Sequence, residues 1–224
     1  MSPRGTAGRA PAAPDLKLYY SPGACSLAPH VVLNELALPH ALERVSIAAG
    51  QHRTDAFLAI NPNGRVPVLR AEGEWLTEAP AILMHLALSD PRRRLLPAAP
   101  LAVARCLEWL NWLSTDLHAV AFAQLWRGER FVDDPTLVGP VNARGRHNML
   151  VGFAAIEQRL PASGWAVGGQ YTVVDPFLLV FHRWGHVVGL DMAVLFPRWA
   201  AHAAAVAARP AVRATLAIEG ISIG

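Results

Sequence analysis

A lone cysteine between a strand-like run and a helix-like run is the first residue whose setting suggests chemistry. Cys25 lies in YYSPGACSLAPH (19–30). Tyr19 and Tyr20 close an apolar run, Ser21-Pro22-Gly23-Ala24 reads as a turn, and Leu27, Val31 and Leu38 begin an apolar helical face. A helix start offers unpaired N–H groups and the positive end of the dipole, and both favour a thiolate. The Ser21 and Ser26 hydroxyls could donate to it. A small, inert, buried cysteine fits the same position. Ala28 stands where a C-x-x-C pair would need its second cysteine, so two-thiol redox chemistry has no local partner.

Two further motifs follow in chain order. In GRVPVL (64–69), Pro67 precedes a strand and cannot donate to a ladder. A cis Val66–Pro67 bond would turn the Val66 N–H and C=O outward, where an extended peptide could pair with them; an ordinary edge proline is the alternative. In TEAP (77–80), a helix start could hold a carboxylate on its N–H groups while Glu78 meets an ammonium; Glu78 could equally just complement the dipole. On one small domain the three motifs describe a pocket for a short thiol peptide with a free amino-acid end.

The elements that must position them are legible in outline. LKLYY, then Leu27 to Leu36, ERVSI, DAFLAI, the two halves of RVPVLRAEGEWL, and the run from Ile82 to Leu88 read as β-α-β-α-β-β-α. Pro80 sits where a helix tolerates proline, near its first position. Residues 1–14 read as a flexible tail, 15–89 as the α/β domain, 90–100 as a linker and 101–224 as an all-α domain. Within the last, Leu101 to about Arg127, 141–160, Phe177 to Val188, Leu195 to Arg209 and Ala211 to Glu219 read as helices. Thr172 and Asp175 form a capping box ahead of the third.

Bulk properties narrow the function. The chain has 224 residues, 53% hydrophobic and 17% charged, with a net charge of +3. It can bury a large core. Arg92-Arg93-Arg94 is the only tight basic run, and no basic stripe interleaves aromatics, so no nucleic-acid partner is expected. No apolar stretch is long enough to span a membrane, so none is expected as a partner. Two cysteines, Cys25 and Cys106, suit a reducing cytoplasm rather than a disulfide framework.

The stretches KLYYSPGACSLAPHVVLNE, INPNGRVPVL, LTEAPAI, STDLH, YTVVDPFLLVFHRW and FPRWAAHAAAVAARPAVRATLAIEG occur over about residues 16–220. In content and order they resemble the bacterial, beta-type cytosolic glutathione S-transferases. The resemblance implies a thioredoxin-like N-terminal domain, an all-helical C-terminal domain that completes the electrophile site, and a homodimer. It implies glutathione as co-substrate, no further cofactor, and conjugation of its thiolate to a hydrophobic electrophile. By the same resemblance, Cys25 sits beside the glutathione sulfur and His118 lines the site from the helical domain. Tyr20 and Ser26 share the cysteine's motif. Val66 pairs with the cysteinyl part through its backbone, Pro67 is the cis-proline, and Glu78 and Ala79 meet the γ-glutamyl end. Ala79 stands where a small hydroxyl or glycine is common, and Ala119 where a lysine often follows the histidine.

Two alternatives stay open at this level. Cys25 itself could be the nucleophile, in thiol-disulfide exchange or peroxide chemistry. The chain could also be a non-catalytic binding protein that kept the fold. His182 and His186 stand at a spacing that can bind metal from one helix face, but no third ligand accompanies them, so no metal is expected. Cys106 and most tryptophans read as packing; Trp112 and Trp126 flank His118 in sequence.

Overall fold

Alternation along β1 (Leu16–Tyr20) decides how the first domain is layered. Leu18 and Tyr20 turn into the main core, while Tyr19 turns the other way, into a small cluster with Val45, Phe57 and Val68. The computed structural model describes residues 16–224, so the tail expected over 1–14 lies outside the described residues.

β1 is central. It pairs in parallel with β2 (His40–Arg44) and antiparallel with β3 (Val68–Ala71), which pairs antiparallel with β4 (Glu74–Thr77). The sheet order is β2-β1-β3-β4. The β1–β2 crossover runs through α1 (Leu27–Glu35), the β2–β3 connection through the short α2 (Asp55–Leu58), and α3 (Ala79–Ser89) follows β4. Glu72 and Gly73 both take positive φ between β3 and β4, as a tight two-residue hairpin turn requires.

β2 lies three residues earlier than the ERVSI reading. Pairing starts at His40, just past Pro39, and the chain leaves the sheet after Val45, whose N–H reaches Tyr20 O at 2.7 Å. Val45 and Ile47 alternate like a strand, but Ile47 instead faces the cleft described below.

Beyond turns over 90–99, the chain is helical. It continues as α4 (Pro100–Trp112), a π-helical stretch (Leu113–Phe122), α5 (Ala123–Trp126), α6 (Val138–Arg159), α7 (Val174–Val187), α8 (Met192–Leu195), α9 (Pro197–Ala207) and α10 (Pro210–Glu219). The single long helix expected from Leu101 to Arg127 is therefore interrupted. Its middle widens into i→i+5 bonding, and it ends at Arg127, whose φ of −147° is not helical. α6 packs on this rod closely because Gly145 has no side chain: a Cβ there would stand 2.3 Å from the Leu125 backbone nitrogen.

The two domains share one core. α1 packs against α3 on its own side and against α7 and α10 of the helical domain. Cys106 is fully buried on α4, as its apolar stripe suggested. The capping box also forms: the Asp175 carboxylate accepts the Thr172 N–H at 2.6 Å, while the Thr172 hydroxyl accepts the Val174 N–H at 3.3 Å.

Candidate active site

The turn that carries Cys25 is held from three directions. Locally, the Ser26 hydroxyl donates to Ser21 O and accepts the Ser21 N–H, both at 3.1 Å. From α7, Trp184 Nε1 donates to Gly23 O at 2.9 Å. From α10, the Glu219 carboxylate accepts the Gly23 N–H at 2.8 Å and meets His30 Nδ1 at 2.8 Å. Gly23 has φ +69°, and a Cβ there would meet Arg183 Nη1 at 2.5 Å, so only glycine fits without displacement.

Cys25 is 4% exposed, and its Sγ lies 3.7 Å from His118 Nδ1 and 3.8 Å from Nε2. Burial pushes the thiol up to about 12; Arg127 draws it down and Glu78 pushes it up further. Of the two readings the sequence leaves open for Cys25, burial favours the protonated thiol. α1 begins at Leu27, past the cysteine, and desolvation outweighs what the dipole could contribute.

His118 sits mid-way along the π-helical stretch. Burial, then the charges of Arg127 and Arg65, press its imidazole down to about 4, so the ring is neutral at pH 7. Ser114, Thr115, His118, Ala119 and Ala123 of this rod line one cleft, at spacings of four and five that match its widened winding.

That cleft, of about 380 Å³, lies between the domains. It brings together Cys25, Val66, Pro67, Glu78, Ala79 and His118. The Val66–Pro67 bond is cis. Glu78 precedes α3 with φ +67° and ψ +119°, a positive φ that is uncommon for a residue with a side chain. It leaves the Ala79 N–H as the first open donor of α3, since Pro80 has none.

Tyr20 and Ser26 are not part of this cleft. The Tyr20 ring is buried against His30, and the fully buried Ser26 hydroxyl is used up within the turn. Both shape the ground under Cys25 instead. Trp112 and Trp126 stay outside too: Trp112 packs on Trp109, and Trp126 packs on Phe122 and Trp184. The aromatic wall comes from Phe177 and Trp184. His182 is buried with no partner for either ring nitrogen, and no cluster of three metal-ligating side chains occurs among the described residues.

Sequence reasoning missed the basic lining: His52, Arg53, Arg65, Arg127 and Arg130 all reach the cleft. No local pattern marks them, because they come from three separate stretches of the chain.

This architecture is a thioredoxin-like α/β domain and a helical domain meeting at a cysteine, a cis-proline and a helix start. It matches known proteins closely. Residues 23–88 match the family model for the glutathione S-transferase N-terminal domain. The chain is 33% identical over 210 residues to glutathione S-transferase GstA of Escherichia coli O157:H7, covering 92% of this chain and all of that one. A glutathione transferase homologue from Sulfitobacter, solved with bound glutathione, superposes with a TM-score of 0.86 at 30% identity, covering 92% of this chain and 99% of that one. A bacterial beta-class glutathione S-transferase from Sphingomonas chungbukensis gives 0.80 at 32% identity, covering 92% and 100%. The chain belongs to the glutathione S-transferase family.

Proposed function

We propose that this protein binds glutathione in the interdomain cleft and transfers its thiolate to an apolar electrophile. One observation carries the reading. The cleft gathers, along one wall, a helix start with an acid (Glu78, Ala79), an outward backbone edge at a cis-proline (Val66, Pro67) and a sulfur site (Cys25, His118). These match the γ-glutamyl end, the peptide body and the thiol of glutathione in order. The Glu78 carboxylate takes the ammonium, and the Ala79 N–H takes the neighbouring carboxylate. Among the described residues the Val66 N–H and C=O have no backbone partner, which leaves them to the cysteinyl unit. The glycyl end then points to the loop carrying His52 and Arg53.

At the sulfur, both protein groups are neutral. The Cys25 S–H and an N–H of His118 can each donate to a thiolate, and this favours it over the thiol. The glutathione proton leaves to solvent, the sulfur forms a bond to the electrophilic carbon, and the leaving group departs with its bonding pair. Ala119 and Ala123, backed by the buried Phe177 and Trp184, offer the apolar surface on which the electrophile is oriented. A thiol held near 12 is a poor nucleophile, which disfavours Cys25 as the attacking group.

The same reading takes glutathione as the sole co-substrate, with no cofactor beside it, and a homodimer as the working assembly. It takes the cytoplasm as compartment, supported by the free Cys25 and Cys106.

Calorimetric titration of the reduced protein with glutathione tests the proposal. One saturable site per chain, weakened about tenfold or more by Glu78→Ala, is expected. No binding at high glutathione would overturn it. Sedimentation of the same sample reads the assembly.

A further inference from the structure

The charge in the cleft is one-sided. Four guanidinium groups, of Arg53, Arg65, Arg127 and Arg130, line it against a single carboxylate, that of Glu78. Among the described residues none of the four is ion-paired. Arg127 is partly buried, and its pKa is drawn down by burial and by Arg130 and Arg65. His52 is pressed the same way, by burial and then by Arg53, Arg130 and Arg127. A sheltered cation without a counterion is costly, and several together repel one another. Arg53, Arg65 and Arg130 keep contact with solvent, so the cost falls mainly on the half-buried Arg127; Glu129 relieves part of it, and an anion in the cleft would relieve the rest while drawing on the field of all four.

Glutathione does not account for all of it. In the pose above, one carboxylate goes to the start of α3 and the other to the loop of His52 and Arg53. The thiolate faces Cys25 and His118. Arg127 and Arg130 remain. They follow the rod that carries His118, Ala119 and Ala123, on the wall of the helical domain where the electrophile lies.

We infer that the electrophile site selects apolar substrates that also carry a carboxylate or similar anionic group, held by Arg127 and Arg130. Arg65, from the sheet domain, adds to the same positive field. The inference rests on the transferase reading and narrows its substrate class. Ala119 and Ala123, backed by the buried Phe177 and Trp184, hold the body of the substrate, and the arginines fix which end points away from the sulfur.

The test uses two glutathione conjugates that differ only in charge. One derives from para-chloro-meta-nitrobenzoate, the other from the matching benzamide. Both bind, or fail to bind, without any need for turnover. Calorimetry on the full chain is expected to show the carboxylate conjugate bound about tenfold or more tightly than the amide, as for a hydrogen-bonded charge pair. Added salt should narrow the difference. Arg127→Gln and Arg130→Gln should each bring the ratio toward one, while Arg127→Lys retains part of it. Equal affinities in the wild type overturn the inference. So does an Arg127→Gln loss that falls equally on both conjugates and on glutathione, because the arginine then serves the sulfur. Failure of glutathione itself to bind is a different result, and it removes the transferase reading.

Discussion

The Glu219 carboxylate accepts the backbone N–H of Gly23 at 2.8 Å across 196 residues of sequence, with both groups buried. Its other oxygen meets His30 Nδ1, also at 2.8 Å. One side chain of α10 thus fastens both the turn below Cys25 and the helix that follows it. Glu219→Ala leaves a buried N–H and a buried ring nitrogen unmet, which costs about 1–3 kcal/mol each. Thermal unfolding should show a lower midpoint, and conjugation should fall with it. An unchanged midpoint would mean that the turn holds without this anchor.

His118 should stay neutral well into acid. Its ordinary value is 6.5, and in the fold it is pressed to about 4 by burial and by Arg127 and Arg65. Between those values the unfolded chain takes up a proton that the folded chain refuses. The contribution is whole above pH 6.5 and is lost as pH falls toward 4. His182, lowered to about 4 by burial and by His186 and His202, acts in the same direction. His118→Asn should flatten the slope of stability against pH in that window. Imidazole NMR of the wild type reads the ring directly; titration near 6.5 would contradict the neutral-donor role given to it.

Cys25 should resist alkylation. A thiol near 12 holds on the order of a thousandfold fewer thiolates at neutral pH than free cysteine. Labelling with iodoacetamide, read by mass spectrometry, should leave the Cys25 peptide largely unmodified in the native protein and modified once it is unfolded. Because the substrate supplies the attacking sulfur, Cys25→Ala should keep part of the conjugation rate. Complete loss of conjugation with glutathione binding intact would return the nucleophile's role to Cys25.

Two glycines offer a matched comparison. Gly23 and Gly73 both have positive φ, +69° and +83°, so alanine at either carries a backbone penalty of about 1–2 kcal/mol. At Gly73 the added methyl meets open space, whereas at Gly23 it meets the Arg183 guanidinium. Gly23→Ala must also shift the Arg183 guanidinium, whose Nε donates to Ser222 O, so it should cost somewhat more in denaturant unfolding. Equal losses at the two sites would deny the crowding under the turn.

What could be read from sequence was whatever the chain writes locally. Cys25 in its turn, Val66–Pro67 before a strand and Glu78 ahead of a helix each carry their setting within a few neighbours. So does the Thr172–Asp175 cap. Three kinds of information were not local. The register of β2 depends on where β1 accepts it, so Val45 and Ile47 misled. The π-helical widening changes which side of the rod Arg127 presents, and an α-helical period misplaces it. Tyr20 and Ser26 share the cysteine's motif, yet contacts with His30 and Ser21 turn them inward. Motif membership assigned them to the cleft, whereas packing buried them beneath the cysteine turn.

The link between Gly23 and Glu219 also orders events during synthesis. The sheet domain emerges from the ribosome before the helices α7 and α10 on which its α1 packs. Its sulfur-bearing turn waits for an anchor translated 196 residues later. A nascent chain can thus own every strand and every cleft residue while its cysteine turn is still unfastened. Readiness for chemistry is then coupled to near-completion of translation, because a chain cut short before α10 lacks the Glu219 bonds to Gly23 and His30.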